Sequence, residues 1–193
     1  GRGTRLFPLS HDKCPKQFVS IDGKNTLIQN TVERFVKIGI KASHIVIIVT
    51  DDNQEELASR QLLPFNILSQ NIYKIRPNYG YAGAMIMAAK FIYELDKDAV
   101  IINSPSDQHI VLNDDFMETI RLAIKTASQG VPTIVGVRIN NLVTFMGCGH
   151  AVFDPDETTL CRRVKKFIEK PSREVADEMM RQENSACNTG INV

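Results

Sequence analysis

The opening stretch, GRGTRLFPLSHDKCPKQF, concentrates groups suited to holding an anion. Gly1 and Gly3 let the backbone approach a ligand closely and aim successive N–H groups at it. Arg5 and Lys16 add two charges that bind phosphate oxygens differently, the guanidinium as a planar fork and the ammonium as a point charge. Pro8 and Pro15 stiffen the loop that carries them. A solvated surface loop accounts for the same composition equally well. No third glycine follows at the spacing of a dinucleotide fingerprint.

Further along, Asp107 stands in SPSDQH, just after the apolar run DAVIIN. A carboxylate at the carboxyl end of a strand suits Mg²⁺, a hard ion that shares its shell with substrate phosphates. The competing reading is a turn cap, with Ser104, Pro105 and Ser106 beside it. Glu169, Lys170 and Pro171 close another strand. There Lys170 would neutralise a phosphate and Glu169 accept from hydroxyls, unless both are simply solvated. Asn188, Thr189 and Gly190 place an amide beside a glycine, which suits either sugar recognition or a plain turn. His11, His44, His109 and His150 are scattered without metal-ligand spacing, and neither a nucleophile elbow nor a Walker loop is present.

The elements that must position these groups follow from the apolar period. Leu27, Ile28, Thr31, Val32, Phe35 and Val36 recur at helical spacing and stop near Gly39. His44 to Thr50 is a β-branched run expected to be a strand buried on both faces. Helices are expected over 54–63, 82–95 and 113–128, the last with Asp114 and Asp115 in its first turn. Strands are expected over 71–75, 98–103, 132–137, 149–153 and 163–169, and a further helix starts near an N-cap at Ser172. Residues 140–149 read as a long connection. Strand and helix alternation predicts one α/β domain over 1–193, a three-layer sandwich with a mostly parallel sheet. Ligands on such sheets bind beyond the strands' carboxyl ends. That points to the loops at 1–16, after Ile75 and after Asn103.

Composition narrows the partners. With 193 residues and a formal charge of +1, the chain can bury a core but lacks the basic surplus of a general nucleic-acid binder. No apolar run is long enough to cross a membrane. Cys14, Cys148, Cys161 and Cys187 form no C-x-x-C pair, which fits a reducing, cytoplasmic setting better than a disulfide framework or a zinc site. No signal peptide is visible within these residues. A homo-oligomer stays open beside a monomer.

Taken in order, G-x-G-T-R-L-x-P-L-S, P-K-Q-F, P-S-D, G-x-G, E-K-P and N-T-G resemble the sugar nucleotidyltransferases. The form at Pro15 to Phe18 looks most like their mannose-1-phosphate guanylyltransferase branch. That resemblance implies a Rossmann-like fold of glycosyltransferase-A type, binding a nucleoside triphosphate and a sugar-1-phosphate. It implies that Gly1, Gly3 and Thr4 lie over the nucleotide and that Asn78 matches an asparagine near the base. Arg5 and Lys16 become the catalytic cations and Asp107 the Mg²⁺ ligand. Gly149, Glu169, Lys170 and Asn188 become the grip on the sugar and its phosphate. It further implies an earlier strand before Gly1 and a second metal carboxylate beyond Val193. Several departures bear on specificity. Gln108 replaces a histidine, Cys148 replaces the tyrosine of a G-Y-G turn, and Arg76 to Gly83 departs from R-N-T-A-P. A thymidylyl- or uridylyltransferase acting on glucose-1-phosphate, or a catalytically silent regulatory relative, therefore stays open beside the guanylyltransferase reading.

Overall fold

The computed structural model describes residues 6–75, 80–154 and 159–193. They fall into two compact units, one of residues 1–99 and 105–112, the other of residues 100–104 and 113–193.

In the first unit the helix expected from the 27–36 period is α1, Leu27–Ile38. It starts with a capping pair, the Thr26 backbone N–H donating to Gln29 Oε1 at 2.8 Å. It ends at Gly39, whose φ of 109° is a left-handed cap open to glycine at little cost. Strands β1 (Ile47–Val49) and β2 (Ile72–Lys74) pair in parallel. Between them runs α2 (Asp52–Leu62), capped by Asp51, whose carboxylate accepts from the Gln54 N–H at 2.8 Å. Phe18, Ile28, Val32, Val49, Ala58, Leu62, Ile67 and Ile72 form the core these elements share. Burying a leucine such as Leu62 contributes about 1.5–3 kcal/mol, so this apolar seam is what holds α1 and α2 to the strand pair. Helix α3, Gly80–Leu95, reaches β2 through Phe91, whose ring lies 3.8 Å from that of Tyr73. No α3 residue is fully buried.

The second unit holds α4 (Asp114–Ala127), β3 (Ile134–Val137), α5 (Leu142–Met146), β4 (Gly149–Phe153), β5 (Val164–Glu169), α6 (Arg173–Gln182) and β6 (Ser185–Asn192). Its sheet runs β3-β6-β4-β5 with antiparallel ladders, so among the described residues parallel pairing is confined to β1 and β2. Asn113 caps α4 by accepting from the Phe116 N–H at 2.9 Å.

Two elements differ from expectation. Residues 98–103 make no ladder; a lone bridge joins Asn103 to Asn192, with backbone bonds of 2.8 and 3.0 Å. Their β-branched run has the propensity for a strand, but a strand also needs neighbouring backbone to pair with, and Val100 remains exposed. The expected connection at 140–149 contains α5, initiated by Asn141, which accepts from the Thr144 N–H at 3.0 Å. Among the described residues no helix is long and apolar enough to cross a membrane.

Candidate functional site

In the first unit a short 3-10 turn, Lys16–Phe18, follows Pro15. Buried Phe18 anchors it, and Gln61 of α2 donates to the Phe18 carbonyl at 3.2 Å. Gln61 is itself held, accepting from Thr26 Oγ1 at 2.8 Å while its backbone carbonyl accepts from Gln29 Nε2 at 2.8 Å. The turn is thus tied at its Phe18 end to α2 and, through Gln61, to the start of α1. From it Lys16 Nζ reaches within 3.3 Å of Asp107 Oδ2, on the loop after Asn103. The two side chains are 31% and 42% exposed, respectively. An ion pair this open to water contributes little to stability, so each partner can exchange the other for a ligand at small cost.

Asp107 is the carboxylate available here for a hard cation. Among the described residues no group of three or more His, Cys, Asp or Glu side chains could hold a metal ion. Among the described residues that donor set is not an all-protein cage. It fits Mg²⁺, which is commonly held by one or two carboxylates with phosphate oxygens completing the shell.

A second cluster forms in the other unit, where the start of β4 meets the end of β5 and the middle of β6. Gly149 opens β4 and pairs with Glu169 at the close of β5. The next residue, Lys170, has φ 45°, a left-handed conformation that costs a lysine energy, and its N–H donates to the Cys148 carbonyl at 3.0 Å. Its ammonium lies 3.8 Å from Glu169 Oε1. Asn188 lies in β6, opposite Gly136 of β3. The N-T-G segment is therefore strand rather than plain turn. Its register shifts there, Gly190 takes φ 79°, and Asn188 Oδ1 accepts from the Gly190 N–H at 2.9 Å. This is how a bulge re-aims a side chain. Gly1, Gly3, Thr4, Arg5 and Asn78 lie outside the described residues.

Gly149 has no room for a side chain. A Cβ there would meet the Glu169 carboxylate and come within 2.6 Å of Phe167 Cζ. Gly149→Ala is therefore expected to lower stability by about 1–3 kcal/mol, read as a shifted urea midpoint at unchanged slope. An unshifted midpoint would mean that Phe167 swings aside freely.

Beneath this cluster lie groups whose spacing in the sequence suggested no part in the site. His150 is fully buried, stacked on Phe145 at 3.7 Å, and its Nε2 lies 2.8 Å from the Phe145 carbonyl. It ties the end of α5 to the start of β4, and so fixes the Gly147–Gly149 turn. Burial pushes the Cys187 thiol up to about 12, with the neighbouring Cys148 adding to the shift. A raised folded-state value stabilises the fold fully below the ordinary thiol value of 9.0. That contribution is lost as pH rises from there toward 12. At pH 8 an alkylating reagent should modify exposed Cys161 first and Cys187 last, measured by mass spectrometry over time. Early labelling of Cys187 in folded protein would contradict the burial argument.

Comparison with known proteins agrees with this architecture. A family model described as nucleotidyl transferase matches residues 1–191. The alginate biosynthesis protein AlgA of Pseudomonas aeruginosa is 28% identical over 191 residues, covering 99% of this chain and 39% of that protein. A mannose-1-phosphate guanylyltransferase of Klebsiella pneumoniae is 30% identical over 195 residues, covering 99% and 40%. The chain thus spans about two fifths of the length of these relatives. Among solved structures, a mannose-1-phosphate geranyltransferase from Thermus thermophilus superposes with a TM-score of 0.83 at 24% identity, over 100% of this chain and 54% of the other. A UDP-glucose pyrophosphorylase complexed with UDP-glucose gives 0.68 at 18% identity, over 100% and 72%. At those identities the likeness is one of fold, an α/β fold shared with nucleotidyltransferases. With the family model spanning residues 1–191, the chain belongs to the nucleotidyl transferase family.

Proposed function

We propose that this chain carries the catalytic machinery of a sugar-1-phosphate nucleotidyltransferase. A phosphate oxygen of the sugar-1-phosphate attacks the α-phosphorus of a nucleoside triphosphate. The new P–O bond forms as the bond to the β-phosphate breaks, and pyrophosphate leaves in line with the attack. No covalent enzyme intermediate is required, so catalysis consists of holding two mutually repelling anions together and neutralising charge on the leaving group. The observation that carries the reading is the pair Lys16 and Asp107, ninety-one positions apart in sequence and 3.3 Å apart in space. A cation for phosphate and a carboxylate for a divalent ion, side by side and open to solvent, are what such a transfer needs.

In this scheme Lys16 binds phosphate oxygens as the sugar phosphate attacks, and Arg5 steadies the departing pyrophosphate. Asp107 holds Mg²⁺, which when bound supplies charge neutralisation at the phosphates. Gly1, Gly3, Thr4 and Asn78 contact the nucleotide. Gly149, Glu169, Lys170 and Asn188 receive the sugar and its phosphate. GTP and mannose-1-phosphate are the first-choice substrates, on the Pro15–Phe18 form and the names of the relatives. Four free cysteines suit a reducing cytoplasm. The departure at 76–83 keeps UTP or dTTP with glucose-1-phosphate as the second pairing.

The test is pyrophosphate release by the full-length protein with Mg²⁺, pairing GTP, UTP, dTTP, CTP and ATP with mannose- and glucose-1-phosphate. Release with GTP and mannose-1-phosphate is expected. Silence across the panel from folded protein would favour a regulatory relative that binds without turnover.

A further inference from the structure

We infer that Arg34 is a positioning residue for the Asp107 loop, fastening it to α1 through a relay of hydrogen bonds; the inference rests on the transferase reading above. Arg34 is only 3% exposed, on the inner face of α1 beside Val32 and Phe35. Its Nη2 donates to Thr31 Oγ1 at 2.9 Å, and the Thr31 hydroxyl in turn donates to the Leu27 carbonyl at 2.9 Å. Its Nη1 donates to the Gln108 carbonyl at 3.5 Å, and Gln108 directly follows Asp107. The carboxylate is thus held from two sides, by Lys16 at its oxygen and by Arg34 at the adjoining peptide.

Two further observations argue that Arg34 does more than fill space. First, its burial is compensated only in part, by neutral acceptors. Nε has no partner among the described residues, and desolvation by burial pulls the guanidinium down to about 10. A methionine would occupy the same volume without that cost. Second, a half-open groove runs between α1 and the loop. A cavity of about 140 Å³ lies beside Arg34, lined by Asp22, by Asn30, Glu33 and Lys37 of α1, and by His109, Ile110 and Leu112 of the loop. Close packing is therefore incomplete between loop and helix at this point, and the carbonyl bond from Arg34 is one of the contacts that set where the peptide beside Asp107 lies. A residue that orients a metal-binding carboxylate acts on metal affinity and turnover without touching substrate.

The experiment uses full-length protein carrying Arg34→Met, Arg34→Lys or Thr31→Val. Four readouts are taken together: the Mg²⁺ concentration for half-maximal rate, kcat, thermal midpoint, and amide hydrogen exchange of residues 104–112. Arg34→Met is expected to raise the Mg²⁺ requirement about tenfold, lower kcat and speed exchange across that loop. Arg34→Lys should recover part of the loss. If Arg34→Met fails to fold, Thr31→Val decides the matter, because it removes one link of the relay without burying or exposing charge; a smaller shift in the same direction is expected. Unchanged Mg²⁺ dependence and unchanged loop exchange in a folded variant would overturn the inference. Faster loop exchange with no turnover by the unsubstituted protein would instead keep the positioning role and discard the transferase reading.

Discussion

Asp107→Asn should lower Mg²⁺-dependent pyrophosphate release by about 10²–10³-fold, in line with loss of one preorganised electrostatic contact, and leave the fold almost untouched. The two halves of that expectation come from one geometry. Asp107 is 42% exposed, and its cationic partner Lys16 is 31% exposed at 3.3 Å. A pair so accessible to water is worth at most about 1 kcal/mol, which in a chain of this size is about 2–4 °C of thermal midpoint. An asparagine keeps the shape and removes the charge, so a hard divalent ion loses its anionic ligand while the loop keeps its backbone bonds. Sugar-nucleotide binding, which draws on other residues, should fall much less. The measurement is kcat across a Mg²⁺ titration beside a thermal melt and a titration with the product sugar nucleotide. Turnover at full rate in the asparagine variant would show that the metal is held elsewhere.

Much of the architecture was legible because it is local. The α1 period and its stop at Gly39 reappear as Leu27–Ile38 with a left-handed glycine cap, since one amphipathic stripe and one terminator decide both ends. Strand β4 at 149–153 and the helix after Ser172 were read for the same reason. What failed depended on partners far along the chain. Residues 98–103 have strand composition, but ladder formation requires neighbours that periodicity does not name, and only Asn103 finds one. Helix α5 is five residues long, too short for a period to show, and its one local signal was the Asn141 cap.

The site divides along the same line. Lys16 and Asp107 were each ambiguous alone, a solvated charge and a turn cap. Resemblance to a family, not spacing, was what joined them before the 3.3 Å contact was seen. Arg34 was missed because an arginine on a helix is expected to reach water. The signal was present nonetheless: Leu27, Thr31 and Arg34 stand at i, i+4 and i+7, so the guanidinium belongs to the buried stripe. The Asn188–Gly190 segment was open between turn and recognition element. It is a strand carrying a register shift, which depends on the pairing of β6 with β3 and so lay outside local sequence.

Lys16→Met gives the complementary prediction, and its sign separates two roles for the lysine. Methionine matches much of the side chain's length and removes the charge. If Lys16 only neutralises Asp107, its loss makes the carboxylate's surroundings more negative, tightens Mg²⁺ and leaves kcat intact. If Lys16 also meets phosphate charge during transfer, kcat falls by about 10²–10³-fold while the Mg²⁺ requirement stays level or drops. The second pattern is expected, with KM for the nucleotide moving less than kcat, because the contact strengthens as charge moves onto the leaving group. The double variant with Asp107→Asn should lose less than the product of the two single losses, since both residues serve one ligand. Simple multiplication of the losses would place the lysine and the carboxylate on separate steps. A Lys16→Met enzyme with full kcat and tighter Mg²⁺ would reduce the lysine to a counter-ion and leave Arg5 as the cation to test next.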